Sequence, residues 1–261
     1  MQSHAHMALQ AEAYAALNPA VPAYPLDMLG AESQGLLGYL LEQAVANELP
    51  PAHAVVSLIT RVEVDPQDPA FQHPSKPIGP VYPASEAAAL ASAHGWRLGP
   101  DGPDGQGVRR LVPSPAPVRV PALTALGWLL DRGAFVIAAG DGGIPVVRRS
   151  ETATELEGIE AVIDKDHCAA LLAIALQADH LLIATDVAGV LLDWGLPTER
   201  LLKTATAAEL SKQAFAEGSM GPKVAAACAF VAATGRRAAI GSLEAIEGLV
   251  AGTQGTQVLP A

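Results

Sequence analysis

The sequence predicts an α/β protein in which buried, mainly parallel strands alternate with helices. Four short apolar runs are typical of strands: AVVSLI at 54–59, AFVIAA at 134–139, HLLIAT at 180–185 and RAAI at 237–240. Each run is apolar on both faces, as expected of a parallel strand that has helices on either side. Longer Ala/Leu-rich patterns between the runs predict helices at about 30–47, 122–132, 166–178, 206–214, 221–234 and 243–249.

Length and composition predict a single domain over residues 1–261, since half of the chain is apolar and can fill a sizeable core. The formal net charge of −11, from 16 basic and 27 acidic residues, argues against a nucleic-acid partner. The longest apolar run, at 224–233, is about half as long as a membrane span, so we expect no membrane partner. The N-terminus has neither the basic start nor the apolar segment of a secretory signal.

The two cysteines, Cys168 and Cys228, both lie in Ala/Leu-rich helical patterns. Two cysteines give no disulfide framework, so we expect small core residues and a reducing compartment. The predicted location is the cytoplasm.

The segment at about 65–120 interrupts the α/β alternation. It holds about half of the chain's 21 prolines and the stretch GPDGPDGQG at 99–107. These residues favour an irregular excursion that ends in the strand-like run GVRRLVPSP. Two interpretations remain open: a small lid-like subdomain over a ligand, or a surface insertion without a role.

The loop GDGGIPV at 140–146 follows a predicted strand. Gly140, Gly142 and Gly143 would let backbone N–H groups point at an anion, at the edge of the sheet where open α/β folds bind ligands. The alternative is a tight turn that needs positive φ angles. No dinucleotide fingerprint or Walker loop occurs in the chain.

The charged run Asp164-Lys165-Asp166 stands between the apolar IEAVI and a predicted helix. The two carboxylates suit a helix N-terminus, through capping and the helix dipole. A lysine in the first turn opposes that dipole, which favours an ammonium aimed at a ligand phosphate with a carboxylate orienting it. Both explanations remain open.

Three other stretches are candidates for the same chemistry. In GSMGPK at 218–223, Pro222 suits the first turn of a helix and Lys223 would project from its N-terminal end, as in an anion site or an ordinary helix start. In HPSKPIGP at 73–80, prolines on both sides restrict the backbone of Lys76. In TDVAGV at 185–190, Asp186 follows a predicted strand and would face a ribose, a Mg²⁺ ion or only its own turn.

In combination these stretches resemble carbamate kinase, of the amino acid kinase family. The matching segments are SKPIGP (75–80), VPSP (112–115), GDGGIPV (140–146), GIEAVIDKD (158–166) and GSMGPK (218–223). The similarity runs from about residue 8 to the C-terminus. The resemblance implies a three-layer αβα sandwich that forms a homodimer. It also implies reversible phosphoryl transfer between carbamoyl phosphate and ADP, giving ATP and carbamate, with Mg²⁺ accompanying the nucleotide.

By the same resemblance, Lys165 and Lys223 contact the transferring phosphoryl group and the nucleotide phosphates. Asp166 orients the lysines, and Lys76 closes from the protruding subdomain. The glycine loop binds phosphate. The residues expected at the nucleotide are Asp164, Asp186, Val187, Met220 and Pro222.

Two features depart from the family pattern. Asp141 stands in the glycine loop where a glycine is expected, and the chain contains neither a GGN loop nor a GNGP loop, which family members carry near the N-terminus. We therefore expect an N-terminally shortened member. Two hypotheses follow: a carbamate kinase-type phosphotransferase, or an inactive remnant that retains nucleotide binding or subunit interaction.

Overall fold

The fold was analysed in a computed structural model, which describes residues 13, 17–18, 24–101, 107–150, 154–215 and 219–260. The chain divides into two compact units, Met1–Lys165 and Asp166–Ala261. Both units combine helices with parallel and mixed sheets, so the predicted α/β class is confirmed. The prediction of a single domain over 1–261 stays a prediction.

Helix α1 is the first element of the first unit whose whole length lies within the described residues. Its buried positions Leu26, Leu29 and Ser33 recur at the i, i+3, i+7 spacing that puts residues on one helical face. Gly38 is needed for close packing, because a Cβ at this position would lie 2.0 Å from the Ser57 side-chain oxygen of the adjacent strand. The elements of this unit are α1 (Leu26–Glu48), β1 (Val55–Leu58), β2 (Arg61–Val64), β3 (Lys76–Pro83), α2 (Ala87–His94), β4 (Arg97–Asp101), β5 (Gly107–Val112), β6 (Pro117–Arg119), α3 (Leu123–Asp131), β7 (Phe135–Ala138), β8 (Ile144–Arg148) and β9 (Leu156–Gly158).

These strands form three sheets. β1 and β7 pair in parallel, while β2 pairs in parallel with β8 in a sheet of order β6-β2-β8-β9. The third sheet, β3-β5-β4, is antiparallel. It lies in the segment expected to be irregular, so that expectation is wrong for residues 76–101 and 107–112, although the predicted strand at 107–115 is confirmed by β5. Whether the segment protrudes as a lid stays a prediction.

The second unit is built on a four-stranded sheet of order β10-β14-β15-β13. Its core contains Phe230, Ile240 and Val258, all fully buried. Cys168 is also fully buried, and burial raises the pKa of its thiol to about 12, as expected of a core residue. The elements are α4 (Lys165–Ala175, which starts at the last residue of the first unit), β10 (Leu181–Thr185), β11 (Leu191–Leu192), β12 (Arg200–Leu201), β13 (Thr204–Thr206), α5 (Ala207–Leu210), α6 (Met220–Thr234), β14 (Ala238–Ser242), α7 (Ile246–Ala251) and β15 (Thr256–Leu259).

All four predicted strands and the six predicted helices occur, with shifted ends. The helix expected at 206–214 ends at Leu210, where Ser211 starts a turn, and the one expected at 243–249 begins as a 3₁₀ turn before α7. Within the described residues, no helix combines the length and apolar character that a membrane crossing requires.

Candidate active site

A pocket of about 620 Å³ lies in the second unit, beside the last residues of β10. It contains four of the residues predicted for a nucleotide site: Asp186, Val187, Met220 and Lys223. Asp186 accepts a hydrogen bond from the hydroxyl of Thr185 (3.0 Å). The described residues that line the pocket are Thr185, Asp186, Val187, Gly189, Leu191, Leu192, Asp193, Trp194, Arg200, Gln213, Ala214, Phe215, Ser219, Met220 and Lys223.

An ion pair fixes the lysine of this pocket. The Nζ of Lys223, in the first turn of α6, donates to Oδ2 of Asp166, in the first turn of α4, over 2.9 Å. The two side chains are only 15% and 10% exposed, so water screens the pair weakly. Asp166 also suits its helix, because a carboxylate in the first turn is stabilised by the helix dipole. The predicted contact between Asp166 and a lysine is therefore present.

A second lysine–carboxylate pair lies in the first unit. Nζ of Lys76, the first residue of β3, is 2.6 Å from Oδ2 of Asp164. The backbone of Lys76 pairs with Val112 of β5 in the sheet, and Asp164 is buried with 8% exposure. The sequence predicted a nucleotide contact for Asp164. In the structure its carboxylate holds Lys76, and the nucleotide contact stays a prediction.

The glycine loop packs against the residues that precede α4. A Cβ on Gly142 would lie 2.2 Å from the carbonyl oxygen of Ile163 and 3.3 Å from the backbone nitrogen of Lys165. Gly142 also has φ +99, a conformation that side chains rarely adopt. Asp141 has φ 56, which aspartate tolerates better than most residues. The loop can therefore approach this segment only with glycine at 142.

The amides of the loop are partly engaged. The N–H of Gly142 donates to the carbonyl of Ala139 (3.0 Å), and that of Gly143 donates to the carbonyl of Gly140 (3.2 Å). These bonds make the tight turn that was one of the two interpretations. Phosphate binding by Gly140, Gly142 and Gly143 stays a prediction.

A buried polar clamp that the sequence analysis missed fixes the start of this loop. The side chain of Gln34, on α1, accepts from the backbone N–H of Thr60 (2.8 Å) and donates to its carbonyl (3.3 Å). The hydroxyl of Thr60 in turn accepts from the N–H of Ala139 (3.0 Å). Gln34 and Thr60 are 4% and 0% exposed, so an unpaired group here would be costly. No motif or periodic pattern marks this pair.

Two of the predicted site residues, Lys165 and Pro222, are not among the described residues that line the pocket. Lys165 begins α4, and its side chain is exposed. Pro222 lies in the first turn of α6. Gly218 of the motif GSMGPK lies outside the described residues. In the described part of the chain, no three His, Cys, Asp or Glu side chains are grouped to hold a metal ion.

Comparison with known proteins identifies the family. Residues 3–242 match the model of the amino acid kinase family. The carbamate kinase of Haemophilus influenzae is 46% identical over 252 residues, which are 97% of this chain and 78% of that protein. The carbamate kinase of Rhizobium meliloti is 48% identical over 250 residues, or 96% of this chain and 75% of that protein.

Solved structures agree. Carbamate kinase from Giardia lamblia bound to AMP-PNP superposes with a TM-score of 0.85 and 35% identity, covering 99% of this chain and 83% of that one. The same protein bound to citric acid gives a TM-score of 0.86 at 36% identity, covering 99% of this chain and 82% of that one. The predicted amino acid kinase fold is confirmed. The chain therefore belongs to the amino acid kinase family, and within it to the carbamate kinase group.

Proposed function

We propose that this chain catalyses reversible phosphoryl transfer between carbamoyl phosphate and ADP, giving ATP and carbamate. The observation that carries the proposal is the ion pair of Asp166 with Lys223, the lysine that lines the 620 Å³ pocket. It occurs in a chain that is 46% identical, over 97% of its length, to a carbamate kinase. Transfer of a phosphoryl group leaves little covalent chemistry to the protein, so positioned cations supply most of the catalysis.

Membership of a kinase family implies the use of ATP or ADP. We place the nucleotide in the pocket of the second unit. Met220 and Phe215 offer apolar surface to the base, and Asp186 can accept hydrogen bonds from a ribose. Val187 and Pro222 complete the nucleotide contacts that we propose from the resemblance. Lys223 would neutralise phosphate charge.

The other lysines act on the phosphoryl group in this proposal. Lys165 supplies an exposed ammonium next in the chain to Asp166. Lys76 supplies another, and we propose that Asp164 keeps it extended and aimed, as a positioning residue. The carboxylate of Asp164, 2.6 Å from Nζ, holds the ammonium in place.

The glycine loop shapes the site in this proposal. The missing side chain of Gly142 lets the loop contact the backbone of the Asp164-Lys165 segment, and Thr60 fixes the loop start. We propose that Gly140, Gly142 and Gly143 bind phosphate.

The residues present also fit a nucleotide-bound Mg²⁺. This ion typically takes one or two carboxylates together with phosphate oxygens, and it would neutralise phosphate charge. Asp186, in the pocket wall, is the carboxylate that would hold it, as the alternative to the ribose contact.

The proposal is tested by measuring ATP formation from ADP and carbamoyl phosphate, together with ADP binding by calorimetry. We expect both binding and turnover. Binding without turnover would instead support the inactive remnant that retains nucleotide binding.

We also propose that the chain forms a homodimer and lies in the cytoplasm. Exposed apolar side chains on α1, among them Tyr39 (62%) and Leu41 (50%), are of the kind that a second copy covers. Both cysteines are free, as in a reducing compartment. Light scattering after gel filtration should give twice the chain mass of 26.8 kDa. A mass of one chain would contradict the dimer.

A further inference from the structure

A second pocket in the same unit is not used by the proposed reaction. It has a volume of about 440 Å³, within the usual range of roughly 300–1,000 Å³ for small-molecule sites. The described residues that line it are Ala188, Leu201, Lys203, Thr204, Ser242, Ala245, Gly252, Thr253, Gln254, Gly255 and Gln257.

The two pockets share a wall but no described residue. Residues 186–203, which we call the strap, run from the end of β10 to the start of β13. Val187 and Arg200 of the strap line the 620 Å³ pocket, whereas their neighbours Ala188 and Leu201 line the smaller one. A ligand in the second pocket would therefore be distinct from the nucleotide.

The lining of the second pocket carries a positive charge. Among the described residues that line it, Lys203 carries the one formal charge, and no carboxylate is present. This is unusual in a chain with a net charge of −11. The side chain of Lys203 is exposed. The backbone carbonyl of Lys203 accepts from the N–H of Gln257 (2.9 Å), and this hydrogen bond fixes the backbone from which the side chain projects.

A second cation lies against the pocket wall. The guanidinium of Arg237 donates to Oε1 of Gln257 (2.7 Å) and to the carbonyls of Leu249 and Val250. A Cβ on Gly252 would lie 2.5 Å from it, so guanidinium and wall are in direct contact. All of these acceptors are neutral, so within the described part of the chain they leave its positive charge uncompensated. A nearby anion would gain from this field.

Hydroxyl groups supply directional donors. Thr204 and Ser242 line the pocket, and the hydroxyl of Ser242, which accepts from the N–H of Glu244 (3.2 Å), keeps its own hydrogen to donate. Thr253 also lines the pocket, but its hydroxyl donates to the carbonyl of Gly248 (3.4 Å). An ammonium with hydroxyl donors suits the tetrahedral oxygens of a phosphate.

We infer that the 440 Å³ pocket is a binding site for a small phosphate-bearing anion, with Lys203 as its direct cation and Arg237 strengthening the positive field. Inorganic phosphate and a small phosphate monoester share this chemistry. The site does not depend on the proposed activity.

The experiment is a titration followed by ¹H–¹⁵N NMR, with saturating ADP to fill the first pocket and ionic strength held constant with sodium chloride. The probes are inorganic phosphate and, separately, glycerol 3-phosphate. We expect saturable shifts at the amides of Lys203, Thr204 and 252–255. Tighter binding of one probe identifies the source of the phosphate.

Two variants make the test specific. Lys203→Gln should weaken binding roughly tenfold, as loss of a charge-assisted contact would, and Lys203→Arg should retain most of it. Lys212→Gln is the matched control, since Lys212 is also exposed in the second unit but lines neither pocket. The inference is overturned if chloride gives the same shifts, if the shifts are confined to 219–223, or if the Lys203→Gln and Lys212→Gln variants bind equally. Because amide shifts do not require turnover, an inactive enzyme would leave this result intact.

Discussion

Replacing Asp166 by Asn should impair both the enzyme and its stability. The change removes the charge that accepts from Lys223 over 2.9 Å, in a pair whose side chains are only 15% and 10% exposed. A hydrogen bond to a charged group contributes about 1.5–3 kcal/mol, and removing one partner of a buried pair costs about 3–5 kcal/mol. Since this pair is not fully buried, we expect about 2–3 kcal/mol.

If that energy is lost from the transition state, the turnover number falls roughly 30- to 150-fold, at about 1.4 kcal/mol per factor of ten. The assay is kcat for ATP formation, with the free energy of unfolding from urea titration. Asp179→Asn is the matched control, because Asp179 is 94% exposed and lies 3.9 Å from Arg236. If the Asp166→Asn and Asp179→Asn variants both stay within twofold of the original kcat, the pair does not position Lys223.

Three further predictions follow from individual contacts. Lys76→Ala should lower kcat while leaving the ADP dissociation constant within about twofold, since Lys76 is assigned to the phosphoryl group. A loss of ADP affinity in calorimetry with turnover retained would contradict this. Thr60→Val removes the hydroxyl that accepts from the N–H of Ala139, so it should lower the free energy of unfolding in urea by about 1–3 kcal/mol and also lower kcat. An unchanged urea midpoint would contradict a stabilising role for this hydrogen bond. The hydrogen bond from Arg148 holds the pKa of Glu63 below its ordinary value, so this ion pair should stabilise the fold above the ordinary pKa and lose that effect as pH falls through the lowered pKa. Glu63→Gln should therefore reduce the loss of unfolding free energy at acid pH. An unchanged acid dependence of the unfolding free energy would contradict the assignment.

The sequence located four strands that have parallel partners, because their apolar runs have no competing signal. AVVSLI and RAAI correspond to β1 and β14, each with a parallel partner. β3 was missed because its prolines are unfavourable in a central strand. In the structure β3 pairs only with β5 within its sheet, so it is an edge strand, where Pro77 needs no second partner.

The site was predicted where residues are adjacent in sequence and missed where they are distant. Asp164, Lys165 and Asp166 stand together in the chain, so their charges were noticed at once. The partners of the two carboxylates lie 88 and 57 residues away, and although local motifs marked both lysines as candidates, only the family resemblance grouped them with the charged run.

No sequence pattern predicted the clamp of Gln34 on Thr60. A buried polar pair 26 residues apart follows no helical or strand period, and both residues are common at surfaces. Their role depends on hydrogen bonds that exist only after α1 has packed beside the glycine loop.

The central claim, that positioned lysines carry the phosphoryl transfer, is tested most directly by the kcat of Lys165→Ala beside that of Lys212→Ala. Both lysines are exposed, so neither change should unfold the chain. We predict a loss of at least about a hundredfold in ATP formation for Lys165→Ala and less than twofold for Lys212→Ala. Equal activities of the two variants would remove Lys165 from the site and contradict the claim.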